Sequence, residues 1–407
     1  MSDPDWVKAP IGIDARRWIS RPGCRAILIA VHTMASCHRL LDIVDLVESD
    51  ARLQIVFTVA PDVFNAGVAG HLQRLGALVI PWQQAIREKF DLAIAAAHGG
   101  LHELHAPVML VAHGAGRARL VRPAEHGGRP IAEPTVYGLD APRLIRDGRV
   151  VASALMLSHE NELHILARQC PEARPFAVVA GDPCFDRLVG SLAGRHRYRR
   201  ALRLRDRQQL VVVSSTWGED GLFGGVPELL PALMDQLPPE DFRVALLLHP
   251  AVSGAHGHRQ VGAWTRACQD AGMMLADPAD DWRAYIAAAD RLIGDRGSVT
   301  AYGAAIGLPV LCVPASTTGG AAVGSPQSLV LDCADRLDIE RPVRPQLVAA
   351  RPVDHRRVAA AITSRPGRSG RLLRRAMYRL IGLAGRAGSQ VAAPLAVPAP
   401  RSARMAS

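Results

Sequence analysis

Aromatic residues are scarce in this sequence, at 4% of its 407 residues. Proteins that bind single-stranded nucleic acid stack bases on aromatic rings, so this scarcity argues against that class. Lysine is scarcer still, because Lys8 and Lys89 are the only two, and the formal net charge of +10 depends almost wholly on arginine. A basic protein favours phosphate-bearing ligands or anionic membrane surfaces. The charge therefore indicates a class of partner and nothing narrower.

The cysteines form no Cys-x-x-Cys pair and have no metal-like spacing. Scattered thiols of this kind are typical of a reducing compartment. The N-terminal stretch MSDPDWVKAP lacks the basic start and apolar core of a signal peptide. No apolar run reaches the roughly 20 residues that a membrane span needs. We therefore expect a cytoplasmic protein, soluble or at most peripheral on the inner face of the membrane.

Apolar runs of strand length alternate with segments of helical period from Cys24 onward. In the first half of the chain the runs are RAILIAVH, LQIVFTVA, ALVIPW, DLAIAAA and PVMLVAHG. Continuous apolar strands separated by helices are buried on both faces, which indicates a parallel sheet covered by helices. The alternation restarts at QLVVVSSTWG, after the basic stretch GRHRYRRALRLRDR. The predicted fold class is therefore α/β, with two doubly wound, Rossmann-like domains.

The length of the chain also favours two domains, since one domain typically takes roughly 100 to 200 residues. We place an N-terminal domain at 20–170 and a C-terminal domain at 175–345. Residues 354–388 predict a basic helix that packs back on the first domain. Residues 389–407 are rich in Ala, Pro and Ser, and we expect them to be a disordered tail.

Two histidines follow predicted strands, where doubly wound sheets carry their ligands. His113 ends the run PVMLVAH of the first domain, and His249 ends the run FRVALLLH of the second. His113 could act as a general base near neutral pH, and His249 could donate to a diphosphate oxygen or stabilise a leaving group. Each could also be a structural histidine that packs against its own chain.

The stretch GDRGSVT, which contains Asp295, lies between a predicted strand and a predicted helix. Gly297 permits close approach of a ligand to the backbone, and Ser298 and Thr300 supply hydroxyls and amides at the helix start. Phosphate groups are commonly held by such helix N-termini. The alternative is that Ser298 is an ordinary N-cap residue.

Further hydroxyls follow the first strand of the second domain, at Ser214, Ser215 and Thr216. They could contact phosphate or cap the turn, and the sequence favours neither. The junction stretch GDPCFD, from Gly181 to Asp186, is interpreted as a hinge turn with a helix cap.

The order of these motifs along the chain carries more information than any one of them. A His-Gly pair is followed by Gly-x-Pro-x-x-Asp, by a strand that ends in Thr-Trp, by His-Pro, and by an Asp-bearing turn into a Ser-bearing helix. This order resembles the CDP-glycerol glycerophosphotransferase family of wall teichoic acid and related capsule synthesis, over about Val108 to Pro314. The resemblance matches His113 to the acceptor-side histidine, His249 to the His-Pro histidine, and Asp295 to Ser298 to the Asp-Tyr-Ser-Ser turn.

The resemblance implies a GT-B glycosyltransferase fold, in which two domains face a central cleft. The acceptor is then expected on the N-terminal domain and the nucleotide on the C-terminal one. Such a transferase would move a glycerol-phosphate or sugar unit from a CDP-glycerol-like donor to a cell-envelope polymer or a lipid-linked acceptor. His113 would be the base, His249 would stabilise the departing phosphate, and Ser298, Thr300 and Thr216 would cradle it. No metal or other cofactor is expected, since no Asp-x-Asp motif stands at a strand end.

Two alternatives stay open. The non-hydrolysing UDP-N-acetylglucosamine 2-epimerase group shares the two-domain fold and a His-Pro motif, so a UDP-sugar 2-epimerase-like protein is the first. A catalytically silent nucleotide-binding GT-B protein is the second, because the family's Thr-Pro-Leu-Lys after His-Gly is Ala-Gly-Arg-Ala here.

The stretch RLLRRAMYRLIGLAGR combines apolar residues at spacings of three and four with several arginines. A basic amphipathic helix of this kind packs its apolar stripe on the protein or lies on an anionic membrane. We favour packing, with Arg371, Arg374, Arg375 and Arg379 still able to contact lipid headgroups.

Overall fold

The computed structural model describes residues 6–12, 15–121, 134–313, 321–384 and 394–398. The chain forms two compact units. The first unit comprises Met1–Arg117, Val121–Asp186 and Thr363–Ala393, and the second comprises Ala118–Leu120, Arg187–Ile362 and Pro394–Ser407.

Seven parallel strands form the sheet of the first unit within its described residues. They are β1 (Arg25–Val31), β2 (Leu53–Val59), β3 (Val79–Ile80), β4 (Leu92–Ala95), β5 (Val108–Leu110), β6 (Ala154–Leu157) and β7 (Ala177–Val179). Their order is β7-β6-β5-β4-β1-β2-β3. The chain builds outward from β1 in one direction and from β4 in the other, so the topological switch point lies between these two strands.

Helices cover this sheet, which explains why its strands are continuous apolar runs. The helices of this unit before β7 are α1 (Met34–Val44), α2 (Val68–Arg74), α3 (Trp82–Ala85), α4 (Ala141–Leu144) and α5 (Glu160–Gln169). Helix α6 (Pro183–Ser191) begins in the first unit and ends in the second, where the 3-10 helix Leu192–Gly194 follows it. Other short 3-10 helices occupy Ala15–Arg17, Leu101–Glu103 and Pro171–Phe176. Two-residue strands pair at Leu120–Val121 with Thr135–Val136, and at Ile145–Arg146 with Arg149–Val150.

Six parallel strands form the sheet of the second unit, again counted within the described residues. They are β8 (Gln209–Ser215), β9 (Phe242–Leu248), β10 (Met274–Leu275), β11 (Arg291–Gly294), β12 (Val310–Cys312) and β13 (Asp335–Arg336). Their order is β10-β9-β8-β11-β12-β13, so the switch point lies between β8 and β11. The register there pairs Ser214 with Gly294, which brings the ends of the two strands together.

The helices of the second unit are short. They are α7 (Arg195–Ala201), α8 (Leu222–Gly225), α9 (Leu229–Gln236), α10 (Pro250–His256), α11 (His258–Trp264), α12 (Arg266–Asp270), α13 (Trp282–Ala288), α14 (Ser298–Ala305), α15 (Pro326–Cys333), α16 (Val343–Ala349) and α17 (His355–Ile362). One core cluster includes Val211, Leu233 and Ile293, all fully buried. The predicted α/β class with two doubly wound parallel sheets is therefore confirmed.

The final helix of the described chain, α18 (Ser369–Leu380), belongs to the first unit. Asp186 accepts from the backbone N–H groups of Gly367 and Ser369, at 2.7 and 3.0 Å, and so anchors the helix start. At its other end the Tyr378 hydroxyl donates to Asp50 Oδ2 at 2.8 Å. The segment predicted as one basic helix at 354–388 thus contains α17 in the second unit and α18 in the first, with Pro366 and Gly367 in the connection between them.

Part of the segment predicted as a disordered tail is also described. Leu395 is buried, and its backbone carbonyl accepts from the Tyr198 hydroxyl at 3.4 Å. Residues 389–393 and 399–407 lie outside the described residues. Among the helices of the described ranges, none combines the length and the apolar character needed to cross a membrane.

Candidate functional site

The carboxylate of Asp295 organises the switch point of the second unit. It follows β11 directly and is 2% exposed. Its Oδ2 accepts from the Thr216 N–H at 2.7 Å, from the Thr216 hydroxyl at 2.8 Å and from the Leu222 N–H at 3.0 Å, while its Oδ1 accepts from the Gly297 N–H at 3.0 Å. One side chain therefore holds the ends of β8 and β11 and the starts of α8 and α14 together.

The hydroxyls predicted at the end of β8 serve this local structure. The Ser215 hydroxyl donates to the Thr216 carbonyl at 2.8 Å and accepts from the Phe223 N–H at 2.9 Å, so it caps α8. The Thr216 hydroxyl donates to Asp295, and Ser214 is buried within the sheet. Of the two roles that the sequence left open, Ser215 and Thr216 thus fill the turn-capping one.

Helix α14 begins at Ser298, and the residue that precedes it supplies no side-chain cap. Gly297 is the N-cap residue and makes no side-chain cap, and no acidic residue stands in the first turn. Ser298 is therefore the first helical residue rather than an N-cap. Because the first N–H groups of an α-helix have no acceptor within the helix, this end is suited to an anion.

Thr300 lies beneath the same turn and is 1% exposed. Its Oγ1 is buried and has no hydrogen-bond partner among the described residues. A buried hydroxyl without a partner costs free energy. The Ser298 hydroxyl is more accessible and accepts from Gln327 Nε2 at 3.3 Å.

Gly297 is explained by packing within the turn. A β-carbon at this position would lie 3.0 Å from the Thr216 methyl carbon and 3.1 Å from Asp295 Oδ1. Its φ of −72° is open to any residue, so close packing and not backbone strain requires glycine. The substitution Gly297→Val would therefore disturb the Asp295 network even without a ligand, and changes at other turn residues are better tests of binding.

Sequence reasoning did not single out two residues of this region, Arg296 and Gln327. Arg296 lies inside the turn, 3.9 Å from Asp220, and its buried Nη1 has no hydrogen-bond partner among the described residues. Gln327 contacts Ser298 from the first turn of α15. The arginine could have been noticed, because a guanidinium beside a helix N-terminus is a common way to bind phosphate.

His249 follows β9 at the same edge of the sheet, where its backbone N–H donates to the Ser215 carbonyl at 2.9 Å. The ring Nδ1 accepts from the Ala251 N–H at 3.1 Å and caps α10. An accepting Nδ1 carries no proton, so the proton of the neutral ring is on Nε2. Nε2 is therefore the donor of the neutral ring, and the predicted role of His249 at a diphosphate stays a prediction.

His113 lies in the first unit, after β5, and has the opposite tautomer. Its Nδ1 lies 2.7 Å from the Ala96 carbonyl oxygen, at the end of β4. A carbonyl only accepts, so Nδ1 carries the proton and Nε2 of the neutral ring carries a lone pair. This arrangement is the one that a general base requires.

The charges around His113 favour its neutral form. Desolvation by the surrounding protein is the main cause that lowers its pKa, although His113 as a whole is an exposed residue, and Arg39, Arg117 and His32 lower the pKa further. The Ala96 carbonyl opposes this shift. The pKa lies below the ordinary histidine value, so Nε2 is unprotonated at neutral pH.

Two further histidines of the first unit lie near His113, and sequence reasoning missed both. His32 follows β1, is fully buried, and has its Nε2 2.7 Å from the Gly99 carbonyl oxygen. His98 follows β4, and burial followed by the charge of Arg117 lowers its pKa to about 3. Both follow strands at the switch point, so their position was the signal that could have revealed them.

The Gly-x-Pro-x-x-Asp motif has a structural role in this chain. Gly181 has a φ of +88°, and a β-carbon there would lie 3.0 Å from the Arg365 carbonyl oxygen. Asp182 accepts from the Phe185 N–H at 2.8 Å and pairs with Arg39. With Asp186 bonded to the start of α18, the motif fixes the return of the chain to the first unit.

No protein-family model matches this chain, and no curated protein sequence matches it. Solved structures do resemble it. A variant of the wall teichoic acid polymerase TagF soaked with CDPG has a TM-score of 0.55 and 12% identity, over 88% of each chain. The complex of S. aureus MnaA with UDP has a TM-score of 0.53 and 11% identity, over 90% of this chain and 100% of that one.

A UDP-GlcNAc 2-epimerase from Methanocaldococcus jannaschii has a TM-score of 0.51 and 11% identity, over 87% of this chain and 99% of that one. At such identities the likeness concerns the fold alone. The chain therefore has a GT-B-like fold, as the sequence predicts.

Proposed function

We propose that this chain is a GT-B-type transferase that binds a nucleotide-diphosphate donor at the carboxyl edge of the second-unit sheet. Open sheets of this topology bind ligands at their switch points, and here that point lies between β8 and β11. The transferred unit is a glycerol phosphate or a sugar.

The observation that carries this proposal is a pair of buried donors without acceptors at the start of α14. Among the described residues the Thr300 hydroxyl has no partner and Arg296 Nη1 has no acceptor, and Gly297 supplies no side-chain cap to the helix. A diphosphate would supply acceptors to these donors. It would also place its negative charge at the positive end of the helix dipole.

Asp295 supports this site without contacting the phosphate. Both of its oxygens already accept from the protein, and a carboxylate facing a diphosphate would repel it. We therefore assign Asp295, Thr216 and Ser215 to positioning the turn, and Arg296 and Ser298 to the ligand. His249 would donate from Nε2 to an oxygen of the departing phosphate.

The chemistry then follows from the two histidine tautomers. For glycerol-phosphate transfer, an acceptor hydroxyl oxygen forms a bond to the distal phosphorus of the donor, and the bond from that phosphorus to the bridging oxygen breaks. A nucleoside monophosphate leaves, and the hydroxyl proton passes to His113 Nε2. For sugar transfer, the bond at the anomeric carbon breaks instead, and a nucleoside diphosphate leaves.

The donor and acceptor classes are proposed from the motif order. The His-Gly, Thr-Trp and His-Pro motifs resemble those of the CDP-glycerol glycerophosphotransferases, so a CDP-glycerol-like donor and a cell-envelope polymer or lipid-linked acceptor are proposed. The fold shared with the CDPG-soaked TagF variant is compatible with this choice.

A nucleotide-sugar 2-epimerase is the second candidate, because the archaeal UDP-GlcNAc 2-epimerase shares the fold to a similar degree. An epimerase returns an isomerised nucleotide sugar, or the free sugar, and needs no acceptor. A transferase releases nucleotide only as it modifies an acceptor.

A screen of CDP-, UDP-, GDP- and ADP-linked ligands by thermal shift tests the proposal, followed by analysis of the products of any ligand that binds. We expect a rise in melting temperature with one nucleotide class and nucleotide release that depends on the acceptor. An isomerised sugar would instead identify an epimerase, and binding without turnover would identify a silent protein. The absence of any shift would refute the donor site.

A further inference from the structure

Imidazole rings and one guanidinium gather at the switch point of the first unit. This first-unit histidine cluster consists of His32, His98, His113 and Arg117. The loop after β4 joins its members, because the Ala96 carbonyl bonds His113, the Gly99 carbonyl bonds His32, and His98 lies between these two loop positions. The segments after three strands, β1, β4 and β5, thus bring nitrogen-bearing side chains to one place.

His98 and Arg117 are neighbours across Gly138. A β-carbon on Gly138 would lie 3.0 Å from His98 Nε2 and 3.4 Å from Arg117 Nε. Both side chains hold a nitrogen that is buried and has no partner among the described residues, namely His98 Nδ1 and Arg117 Nη2. The Arg117 side chain is only 6% exposed. Unpaired buried groups of this kind indicate strain, catalysis or a bound water or ion.

The Glu162 carboxylate lies beside Arg117 but accepts from neither His98 Nδ1 nor Arg117 Nη2. Glu162 Oε1 accepts from the Arg117 N–H at 2.8 Å, and its Oε2 accepts from Arg117 Nη1 at 3.3 Å and from the Ser158 N–H at 2.8 Å. The other buried arginine, Arg39, pairs with Asp182. Glu162 thus balances the charge of Arg117, while Arg117 Nη2 has no acceptor among the described residues.

We propose that the first-unit histidine cluster binds a phosphate group, with Arg117 Nη2 and the His98 ring as its donors. A guanidinium and an imidazole N–H match the acceptor-rich oxygens of a phosphate. The described residues hold no group of three or more His, Cys, Asp or Glu side chains arranged for a metal ion. The chemistry of the cluster is that of hydrogen-bond donation.

The cluster places this phosphate beside the exposed ring of His113. A phosphate-bearing acceptor held there would present a nearby hydroxyl to Nε2, so His98 and Arg117 would be positioning residues for the base. This assignment to the acceptor depends on the proposed transferase function. Binding of phosphate to the cluster does not depend on it.

Calorimetric titration of the full chain with glycerol 3-phosphate, inorganic phosphate and glycerol tests the proposal. We expect both phosphates to bind and glycerol not to bind. The substitution His98→Leu removes one donor to a charged group, so affinity should fall about tenfold or more. His105→Leu is the matched control, because His105 is an exposed histidine of the same unit, and it should bind as the parent does.

Histidine ring resonances followed by NMR provide a second measurement. Bound phosphate should raise the pKa of His98 and His113, and Arg117→Lys, which keeps the charge, should weaken binding less than Arg117→Gln. Equal affinity in the parent and His98→Leu would overturn the proposal. So would a loss of glycerol 3-phosphate binding in Arg296→Gln, because the ligand would then occupy the second unit.

These experiments also separate the cluster from the proposed function. If phosphate binding depends on His98 but no nucleotide binds, the phosphate site stands and its assignment to an acceptor fails. If glycerol 3-phosphate binds more tightly than inorganic phosphate and slows nucleotide release in competition with the acceptor, both are supported.

Discussion

The carboxyl edges of the two sheets differ in what they offer a substrate. In the second unit the switch point is built around Asp295, backbone amides and hydroxyls, with the start of α14 beside them. In the first unit it is built around imidazole rings and arginines that are paired with carboxylates. Doubly wound sheets therefore carry a turn of backbone amides, hydroxyls and one arginine suited to an anion in one unit, and imidazole rings suited to proton transfer in the other.

The two histidines predicted from the sequence show this difference most clearly. His249 accepts from an amide and keeps its proton on Nε2, whereas His113 donates to a carbonyl and keeps a lone pair on Nε2. The backbone group next to each ring, an N–H in one case and a C=O in the other, decides which role the ring can play.

The strongest test of this difference is the loss of the base. His113→Gln should lower turnover of the enzyme by about 10²- to 10⁴-fold, the usual contribution of general base catalysis. Nucleotide affinity should not change, because His113 has no part in the proposed donor site. Rates from stopped assays and affinities from calorimetry check the two halves of this prediction. A variant that retains most of its turnover would show that His113 is not the base.

The pH dependence of the parent provides a companion test. A base acts only when unprotonated, so the rate falls as pH drops through its pKa. Because desolvation and neighbouring cations lower the pKa of His113, kcat/KM should stay level below the ordinary histidine value of about 6.5 and fall only at more acid pH. An acid limb at or above that value would contradict the described surroundings of the ring.

Loss of the buried Arg39–Asp182 ion pair of the first unit should lower the free energy of unfolding more than any of the other substitutions. Arg39 and Asp182 form two bonds of 3.1 Å, with side chains 4% and 0% exposed. Asp182→Asn leaves a buried guanidinium without its counter-charge, which costs about 3–5 kcal/mol of the free energy of unfolding. Urea denaturation measures the change, with Glu48→Gln, at an exposed position, as the control. A decrease of less than about 1 kcal/mol in the free energy of unfolding would mean that water solvates the Arg39 guanidinium in the variant.

The corresponding change in the second unit should cost less. Asp295→Asn keeps one acceptor oxygen but turns an amide toward backbone donors, so it should destabilise the second unit by about 1–3 kcal/mol. Nucleotide binding should weaken as well, because the turn is displaced. Asp332→Asn, at an exposed position in the same unit, is the control. Unchanged stability would show that the Asp295 network is not what holds the turn.

The smallest expected effect concerns α18. Arg371, Arg375 and Arg379 are exposed and recur every four residues, whereas Arg374 contacts the Tyr378 hydroxyl at 3.3 Å. We predict weak, salt-sensitive binding to anionic vesicles, at roughly 1 kcal/mol per arginine near the surface. Changing the three exposed arginines to Gln should abolish it in flotation, and changing Arg374 alone should not. Equal recovery with neutral and anionic vesicles would leave α18 only its packing role.

The sequence allowed prediction of the two sheets, but not of every strand or of every long-range contact. Buried strands such as β1 and β8 are continuous apolar runs, so their pattern reveals them. Strand β13 carries only Asp335 and Arg336, both exposed, and no pattern marks it. The burial of Leu395 in a Pro- and Ala-rich segment depends on Tyr198, almost 200 residues away, and long-range contacts of this kind leave no local signal.

The candidate site was predictable in position but not in detail. Strand ends identified His113, His249 and the turn at Asp295, because parallel sheets bring such ends together. The role of each polar group in the turn depends on hydrogen bonds between residues about 80 positions apart, such as those between Thr216 and Asp295. Spacing cannot show which hydroxyl is used by the fold and which remains for a ligand.

The central claim is that the turn before α14 binds the diphosphate of a nucleotide, and Arg296 tests it most directly. Its Nη1 is buried without a hydrogen-bond partner among the described residues, and its removal leaves the Asp295 network intact. Calorimetric titration with the nucleotide found in the screen should show at least about tenfold weaker binding for Arg296→Gln. Arg341→Gln, at an exposed position of the same unit, should bind as the parent does. Equal affinity in all three proteins would contradict the claim.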